Sequence, residues 1–310
     1  MSAVRFALAV PQEVSDPGAL RELAVEAELR GFHSLWLYDH FFHFPAETDV
    51  SVLEPFVTMA TLAAWTKTIR VGTLVLCHAY RPPALTAKMA ATLDVLSDGR
   101  LEFGYGAGWH AEEHRAYGYD FPAAGTRIAR MEEALGIMRA LWTEGVASFA
   151  GAHYRVEAAI CEPRPKQRPH PPITIGGGGE RRLLRAVARH ADWWNYFPVP
   201  LPEYERKARI LEEHCREENR DPASIGRSLV VPLYTAEWEK EVRDQLEGAR
   251  RRGLRWALGE NIVQGTPDIV VPRLRDYVRR GVSLFILVLP DARDAKQLDF
   301  VQRSVIEDID

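Results

Sequence analysis

Cysteine is scarce in this 310-residue chain, and it has neither a long apolar run nor an excess of basic residues. Its cysteines, Cys77, Cys161 and Cys215, are widely spaced and form no CxxC pair, which excludes a disulfide framework and a cysteine metal clip and favours a reducing compartment. No stretch approaches the roughly 18 apolar residues of a membrane-spanning helix. The formal net charge of −4 does not show the excess of basic residues that is typical of nucleic-acid-binding proteins.

The first 13 residues contain one arginine and a short apolar run that stops at Pro11. This pattern is typical of a first strand and not of a signal peptide. We therefore expect a soluble, cytoplasmic protein that acts on a small molecule, with no nucleic-acid or membrane partner.

Short apolar runs alternate with amphipathic stretches along the chain, which predicts parallel strands joined by crossover helices. The spacing of the first four strand starts is close to 30 residues. The predicted strands are residues 4–10, 33–38, 69–76, 100–105, 173–175, 192–196, 228–233 and 284–289. The predicted helices are residues 16–30, 53–65, 82–96, 127–142, 181–189, 202–218, 240–251 and 267–279.

Eight such strands favour an α/β fold of the closed (β/α)₈ TIM-barrel type, and an open doubly wound sheet is the alternative. Residues 148–156, centred on Gly151, indicate a small hairpin, and a proline-rich stretch follows to residue 172. We interpret residues 147–172 as an insertion between helix four and strand five of a single domain over residues 1–310. The pattern assigns no clear element to residues 256–265.

The catalytic sites of such barrels lie at the carboxyl ends of the strands. Strand five ends in four glycines, Gly176, Gly177, Gly178 and Gly179, directly before Glu180 and a helix. Glycine lets the backbone turn tightly, and its N–H groups can then bind an anion at the positive helix end. We predict a phosphate site there, although a plain strand-to-helix turn would use the same residues. Strand four ends in GYGAGW, which fails the GxGxxG pattern because its last position is Trp109.

Strand two ends in Asp39 and His40, strand six near Asn195, and strand four is followed by Glu113. An imidazole that titrates near neutral pH suits proton transfer, so His40 is the predicted catalytic residue and Glu113 a second candidate. The non-catalytic alternatives are that His40 is only hydrogen-bonded to a loop carbonyl and that Glu113 is only an acid at a helix start. Asn195 could bind a polar ring or a phosphate, or only fix a turn.

The segment from His110 to His114 matches the HxxEH pattern of inverted zinc peptidases, with both histidines expected on one helical face. The pattern is short and needs a further acidic ligand in the proper helical context, whereas here it opens a helix directly after a glycine-rich strand end, so we predict no metal site. A metal hydrolase barrel is disfavoured also because strand one ends in Val10-Pro11-Gln12, with no HxH.

Together these motifs resemble the luciferase-like monooxygenase superfamily and, within it, a branch of F420-dependent oxidoreductases. The likeness rests on LWLYDHF at 35–41, on residues 54–122 with GTLVLCHAYRPPALTAKMAATLDVLSDGRLEFGYGAGWH, on GAHY at 151–154, on PPITIGGGGERRLLRAVARHADWWN at 171–195 and on GTPD at 265–268. It covers nearly the whole chain.

The resemblance implies a deazaflavin coenzyme held over the barrel mouth, with its phosphate on the strand-five glycines and the insertion covering the site. It also implies a cis peptide in strand three near Leu74-Val75, a loop against the ring edge at Ala107 to Trp109, and a homodimer through helices two and three. The predicted coenzyme-binding residues are Asp39, Leu74, Val75, Ala107, Gly108, Trp109, Gly176, Gly177, Gly178, Gly179 and Asn195.

We therefore expect an F420-dependent oxidoreductase that transfers hydride to or from an unidentified small organic substrate. Two alternatives stay open: an FMN-dependent luciferase-like monooxygenase, which shares the barrel, and a non-catalytic protein that binds a flavin or deazaflavin. In either enzyme the protein must orient the coenzyme, exclude water and manage a proton.

Overall fold

The computed structural model describes residues 3–13, 16–43, 50–252 and 259–309. Parallel strands in it form a closed barrel, in which each strand pairs with a neighbour on both sides. The barrel is closed by β12 (Val282–Val288), which pairs with both β1 (Arg5–Ala9) and β10 (Gly226–Tyr234), and by the pairing of β9 (Trp193–Tyr196) with β10. The barrel strands are β1 (Arg5–Ala9), β2 (Ser34–Leu37), β3 (Arg70–Thr73) with β4 (Leu76–Cys77), β5 (Leu101–Gly106), β8 (Ile173–Gly176), β9 (Trp193–Tyr196), β10 (Gly226–Tyr234) and β12 (Val282–Val288).

The closed pairing confirms the predicted (β/α)₈ barrel and excludes the open doubly wound sheet. Strands β3 and β4 occupy one position of the barrel, separated by a cis peptide between Leu74 and Val75, where it was predicted. A short strand, β11 (Val263–Gln264), adds to β10 and lies within the stretch to which no element was assigned. Residues 256–258 of that stretch lie outside the described residues.

All eight predicted helices are present, with ends shifted by a few residues. Local chemistry sets these ends: Asp16 caps the first helix through its side chain, and Gly31 and Gly145 follow the first and fifth helices with positive φ. The helices are α1 (Pro17–Leu29), α2 (Pro55–Trp65), α3 (Pro83–Leu96), α4 (Ala111–Ala116), α5 (Ala124–Glu144), α6 (Leu183–His190), α7 (Leu201–Glu217), α8 (Glu239–Arg251), α9 (Pro267–Val278), α10 (Ala295–Val301) and α11 (Glu307–Ile309).

The insertion contains the predicted hairpin, which is longer than the sequence pattern indicated. Antiparallel strands β6 (Val146–Ala150) and β7 (Arg155–Ile160) form it, and the turn contains Gly151. The pattern is weak there because most of the side chains on both strands are exposed, so hydrophobic alternation does not mark the strand ends.

Two apolar layers hold the barrel together. Side chains that face the helices form the main core, while a smaller cluster of Ala7, Trp36, Leu284 and Ile286 fills the interior. At the amino-terminal end of the strands a buried carboxylate, Glu102, accepts a hydrogen bond from Arg70 and completes this filling. The mouth at the opposite, carboxyl end of the strands is therefore the place left for a site. Every helix in the described ranges is too short or too polar to span a bilayer.

Candidate active site

Strand alternation decides which of the two residues after β2 faces the barrel. Successive side chains on a strand point to opposite faces, and Trp36 belongs to the interior cluster. His40 is in phase with Trp36, whereas Asp39 is out of phase. The structure agrees: Asp39 turns toward the start of α3, where Arg81 holds both of its oxygens at 2.9 Å, and it also accepts the Cys77 backbone N–H at 2.8 Å.

His40 is bonded to Glu113, a residue 73 positions away on α4. Its Nδ1 lies 2.7 Å from Glu113 Oε2, and the backbone N–H of Phe41 donates to Oε1 at 2.7 Å. The hydroxyl of Tyr80, from the segment after β4, donates to Oε2 at 2.9 Å. Glu113 is completely buried, and His40 is about one-quarter exposed at the mouth. The structure thus brings together the two predicted catalytic residues.

The environment keeps Glu113 ionised. Burial acts to raise its pKa, but the hydrogen bonds from His40, Phe41 and Tyr80 and the charge of His40 outweigh it and lower the pKa from 4.5 to about 2. An ionised carboxylate only accepts hydrogen bonds, so Nδ1 of His40 carries the proton of their shared bond. Nε2 is then the ring nitrogen of His40 that can exchange a proton.

Aromatic rings surround His40 on the side of strand β5. Trp109 lies edge-on to it with ring centroids 5.5 Å apart, and His110 lies 5.8 Å away. Trp109 is mostly exposed, at 59%, as a wall at the open mouth would be. The indole is therefore available to contact a ligand that covers His40.

The HxxEH segment does not form the arrangement that the zinc-peptidase pattern requires. His110 is the residue that caps α4 and not a helical residue, so the two histidines of the pattern do not both lie on the helix. His114 bonds back to the His110 carbonyl at 2.9 Å and lies against Cys77, 3.8 Å away. The side chain that joins His110 and Glu113 is therefore His40 and not His114. Ring nitrogens of His40 and His110 and a carboxylate oxygen of Glu113 lie within 4.8 Å of one another. The absence of a metal stays a prediction.

An apolar platform lies at the mouth beside this cluster. The side chain of Val75 sits over glycines of β5 and β8, since a Cβ at Gly106 would come within 2.5 Å of it and one at Gly176 within 3.5 Å. Gly104 allows the β3–β4 break itself to approach, because its Cβ would lie 1.8 Å from the Thr73 carbonyl oxygen. Leu74 packs on the interior cluster beneath. Glycine at positions 104 and 106 is therefore needed to leave room for Val75 and the strand break.

The segment after β5 curls against Cys77. Gly108 has φ +69°, and a Cβ there would lie 2.6 Å from the Cys77 sulfur. Its carbonyl accepts a hydrogen bond from Arg127 Nε at 3.2 Å, and the half-buried Ala107 packs against the core. This tight curl is what carries Trp109 to its place beside His40.

Two side chains, Trp194 of β9 and Lys207 of α7, fix the orientation of the glycine loop after β8 by binding its carbonyl groups. Trp194 Nε1 donates to the Gly177 carbonyl at 2.8 Å, and Lys207 Nζ on α7 donates to the Gly178 carbonyl at 2.9 Å. In a planar trans peptide the following N–H points opposite to the carbonyl. The amides of Gly178 and Gly179 are therefore directed away from Trp194 and Lys207, and within the described part of the chain neither donates a hydrogen bond.

Both glycines line an open cavity of about 830 Å³ between the α6 start and the α5 start. A turn at residues 180–182 separates them from α6, which begins at Leu183 and not at residue 181 as expected. The residues that line the cavity are Ala123, Ala124, Gly125, Thr126, Ile128, Gly178, Gly179, Glu180, Arg181, Arg182 and Leu183.

Asn195 and the insertion border the same mouth. The buried Asn195 donates to Ser228 Oγ at 3.0 Å, and its carbonyl accepts the Gly177 N–H at 3.0 Å. On the insertion side, Tyr154 of the hairpin turn lies with its hydroxyl 3.4 Å from Nδ1 of His78, after β4. Burial lowers the pKa of His78 to about 4, so this imidazole is neutral at pH 7.

The sequence analysis missed the residues that hold the site residues in position: Tyr80, Arg81 and Lys207. Tyr80 and Arg81 follow β4 and could have been found as polar residues just beyond a strand end. Lys207 had no such signal, because a lysine on an amphipathic helix is ordinarily solvated. Its burial, at 7% exposure, and its bond to Gly178 are tertiary facts.

A closed (β/α)₈ barrel with a histidine–carboxylate pair, an apolar platform and free amides at the carboxyl ends of its strands defines a ligand-binding enzyme of the barrel class. The family described as luciferase-like monooxygenase matches residues 2–259. The chain belongs to this family, as the sequence resemblance indicated, and is an oxidoreductase.

Relatives with stated activities include an F420-dependent glucose-6-phosphate dehydrogenase of Kineococcus radiotolerans. It is 36% identical over 328 aligned positions, which cover 94% of this chain and 92% of the relative. A solved F420-dependent secondary alcohol dehydrogenase with an F420-acetone adduct superposes with a TM-score of 0.84 at 19% identity, over 99% of each chain. A long-chain alkane monooxygenase superposes with a TM-score of 0.81 at 14% identity, over 100% of this chain and 91% of the other. These two structures share the fold.

Proposed function

We propose that this protein is an F420-dependent oxidoreductase that moves hydride between the deazaflavin coenzyme and a small organic substrate. The observation that carries the proposal is the joint placement, at one barrel mouth, of a buried Glu113–His40 pair and free backbone amides at Gly178 and Gly179. The 36% identity with an F420-dependent dehydrogenase over most of both chains supports the choice of coenzyme.

The residues present fit such a coenzyme. The amides of Gly178 and Gly179 form a cradle for a phosphate, and a Cβ at Gly178 would collide with the Tyr196 ring, so side chains would disrupt it. Val75, over its glycines, supplies a flat apolar floor for a ring system, and Trp109 supplies a wall. When bound, the deazaflavin supplies one ring carbon that accepts or gives hydride.

Hydride exchange at a carbon that bears an oxygen leaves one proton to be moved, and we assign it to Nε2 of His40. Glu113 fixes the ring through Nδ1 and stabilises the imidazolium when Nε2 takes up the proton. Tyr80 and Phe41 hold Glu113 in turn. We assign Asp39 a supporting role and not a coenzyme contact, because Arg81 and Cys77 occupy its oxygens.

Side-by-side equilibrium titration with F420 and FMN, followed by ligand fluorescence, tests the coenzyme. We expect F420 to bind and FMN to bind at least tenfold more weakly. Preferred binding of FMN, with oxygen uptake when a flavin reductase is added, would instead indicate the monooxygenase alternative. Binding of neither ligand contradicts the proposal.

A His40→Ala variant then tests the chemistry. Its dissociation constant for F420 should stay within about threefold of wild type, while turnover with any accepted alcohol or carbonyl substrate should fall by 10²-fold or more. His153→Ala, an exposed histidine on the hairpin, is the matched control and should turn over normally. Coenzyme binding without turnover in the wild type, across a panel of hydride acceptors and donors, would support a non-catalytic binding protein.

A further inference from the structure

A second cavity, of about 330 Å³, adjoins the one beside the glycine cradle and leads away from it along α6. The two cavities share Gly125, Ile128, Arg181 and Arg182, so they form one continuous groove. The groove begins at Gly178 and Gly179 and extends along α5 and α6. Its outer lining consists of Gly125, Ile128, Ala129, Glu132, Arg181, Arg182, Arg185 and Arg189.

The groove carries an excess of positive charge. Four arginines line its outer part against one carboxylate, Glu132. Arg185 and Arg189 share Glu218, and Arg189 also approaches Glu132 at 3.3 Å. Across the described ranges, Arg181 and Arg182 form no ion pair. Two guanidinium groups thus stay uncompensated beside the cradle, and two more compete for the same carboxylates.

The shape of the groove depends on a glycine of α5. Arg182 crosses directly over Gly125, where a Cβ would overlap the guanidinium group. Glu180, which follows the cradle in the sequence and lines the same cavity, forms ion pairs with Arg206 and Lys207. The charge of Glu180 is thus balanced by these two cations, and arginines outnumber carboxylates along the outward path from the amides.

We propose that this groove binds the carboxylate-bearing glutamate tail of F420, which continues beyond the coenzyme's phosphate. The inference rests on the proposed function and extends it. An Arg guanidinium recognises carboxylates bidentately, and a row of four along one path suits a flexible chain of carboxylates. FMN ends at its phosphate and leaves the groove unused, so the same arginines favour F420 over FMN.

The test compares F420 that carries several glutamates with F420 that carries none, by fluorescence titration at low salt. Each exposed ion pair contributes little, so a few together should make the glutamate-bearing form roughly tenfold tighter in wild type. The double variant Arg185→Gln/Arg189→Gln, which changes only the outer cavity, should reduce this ratio to about 1–3. Arg243→Gln/Arg251→Gln on α8 changes net charge equally and should leave the ratio unchanged.

A second measurement does not depend on any variant. The ratio for wild type should fall toward 1 in about 0.5 M salt, because exposed charges are screened. Equal affinity for the two F420 forms at low salt overturns the inference while leaving the proposed function intact. An unaltered ratio in the well-folded outer-cavity variant overturns it as well. If neither F420 form binds, the proposed function and the inference both fail.

Discussion

Replacing the buried Glu113 by glutamine should destabilise the fold by an amount that depends on pH. Glutamine resembles the neutral acid, so the variant lacks what the ionised carboxylate gains in the folded state. The lowering of the Glu113 pKa from 4.5 to about 2 corresponds to about 3 kcal/mol at pH 7. Because its folded pKa is depressed, this contribution is complete well above pH 4.5 and is lost as pH falls toward 2.

Urea unfolding of wild type and Glu113→Gln at pH 7 and pH 3 measures the difference directly. We expect the free energy of unfolding of the variant to be about 3 kcal/mol below that of wild type at pH 7, and this difference to shrink to about half at pH 3. Other carboxylates titrate equally in both proteins and cancel. Glu112→Gln, an exposed neighbour on α4, should change stability by less than about 0.5 kcal/mol. A gap below about 1 kcal/mol at pH 7, or one that does not narrow on acidification, would refute the assignment of a paired, ionised Glu113.

Further predictions concern the glycine at the strand break, the support of the cradle and the thiols. Gly104→Ala should cost about 2–4 kcal/mol in urea unfolding because its Cβ would overlap the Thr73 carbonyl, whereas Gly248→Ala, in open space on α8, should be stabilising by about 0.5–1 kcal/mol. Lys207→Met should weaken the binding of F420 about tenfold, because Nζ fixes the Gly178 carbonyl and so orients the amides proposed to bind the phosphate. Binding of the deazaflavin without its phosphate should not change, and an equal loss of affinity for both ligands would contradict this role. Burial raises the pKa of every thiol, so Ellman's reagent should label none in the native protein within minutes and three in urea; rapid native labelling would disagree with the burial of Cys77, Cys161 and Cys215.

The positions of the strands and helices were readable from hydrophobic periodicity, because parallel strands buried on both faces and amphipathic helices leave different patterns. Helix ends were less certain. The fifth helix starts at Ala124, three residues before the predicted position, because its first turn is polar or small and carries no apolar periodicity. The hairpin was underestimated for a similar reason: its side chains are largely solvated.

Strand ends were a good guide to which residues gather at the mouth, since eight parallel strands place their carboxyl ends together whatever their order. They could not separate neighbours with different roles. Asp39 and His40 both follow strand two and were both assigned to the site, but the facing of the strand directs Asp39 to Arg81 and His40 to Glu113.

Local periodicity, backbone freedom and a long shared motif were enough to predict the alternation of strands and helices, the break in strand three and the glycines at the mouth. They favoured a closed barrel, and the strand pairing of the structure excluded the open sheet. The partners of these residues were visible only in the folded structure: Glu113 beside His40, Lys207 beneath the Gly178 carbonyl, and the arginines of α6 and of the turn before it along one groove. Such pairings join residues tens of positions apart, and no local pattern encodes which side chains the closed barrel will bring within hydrogen-bonding distance.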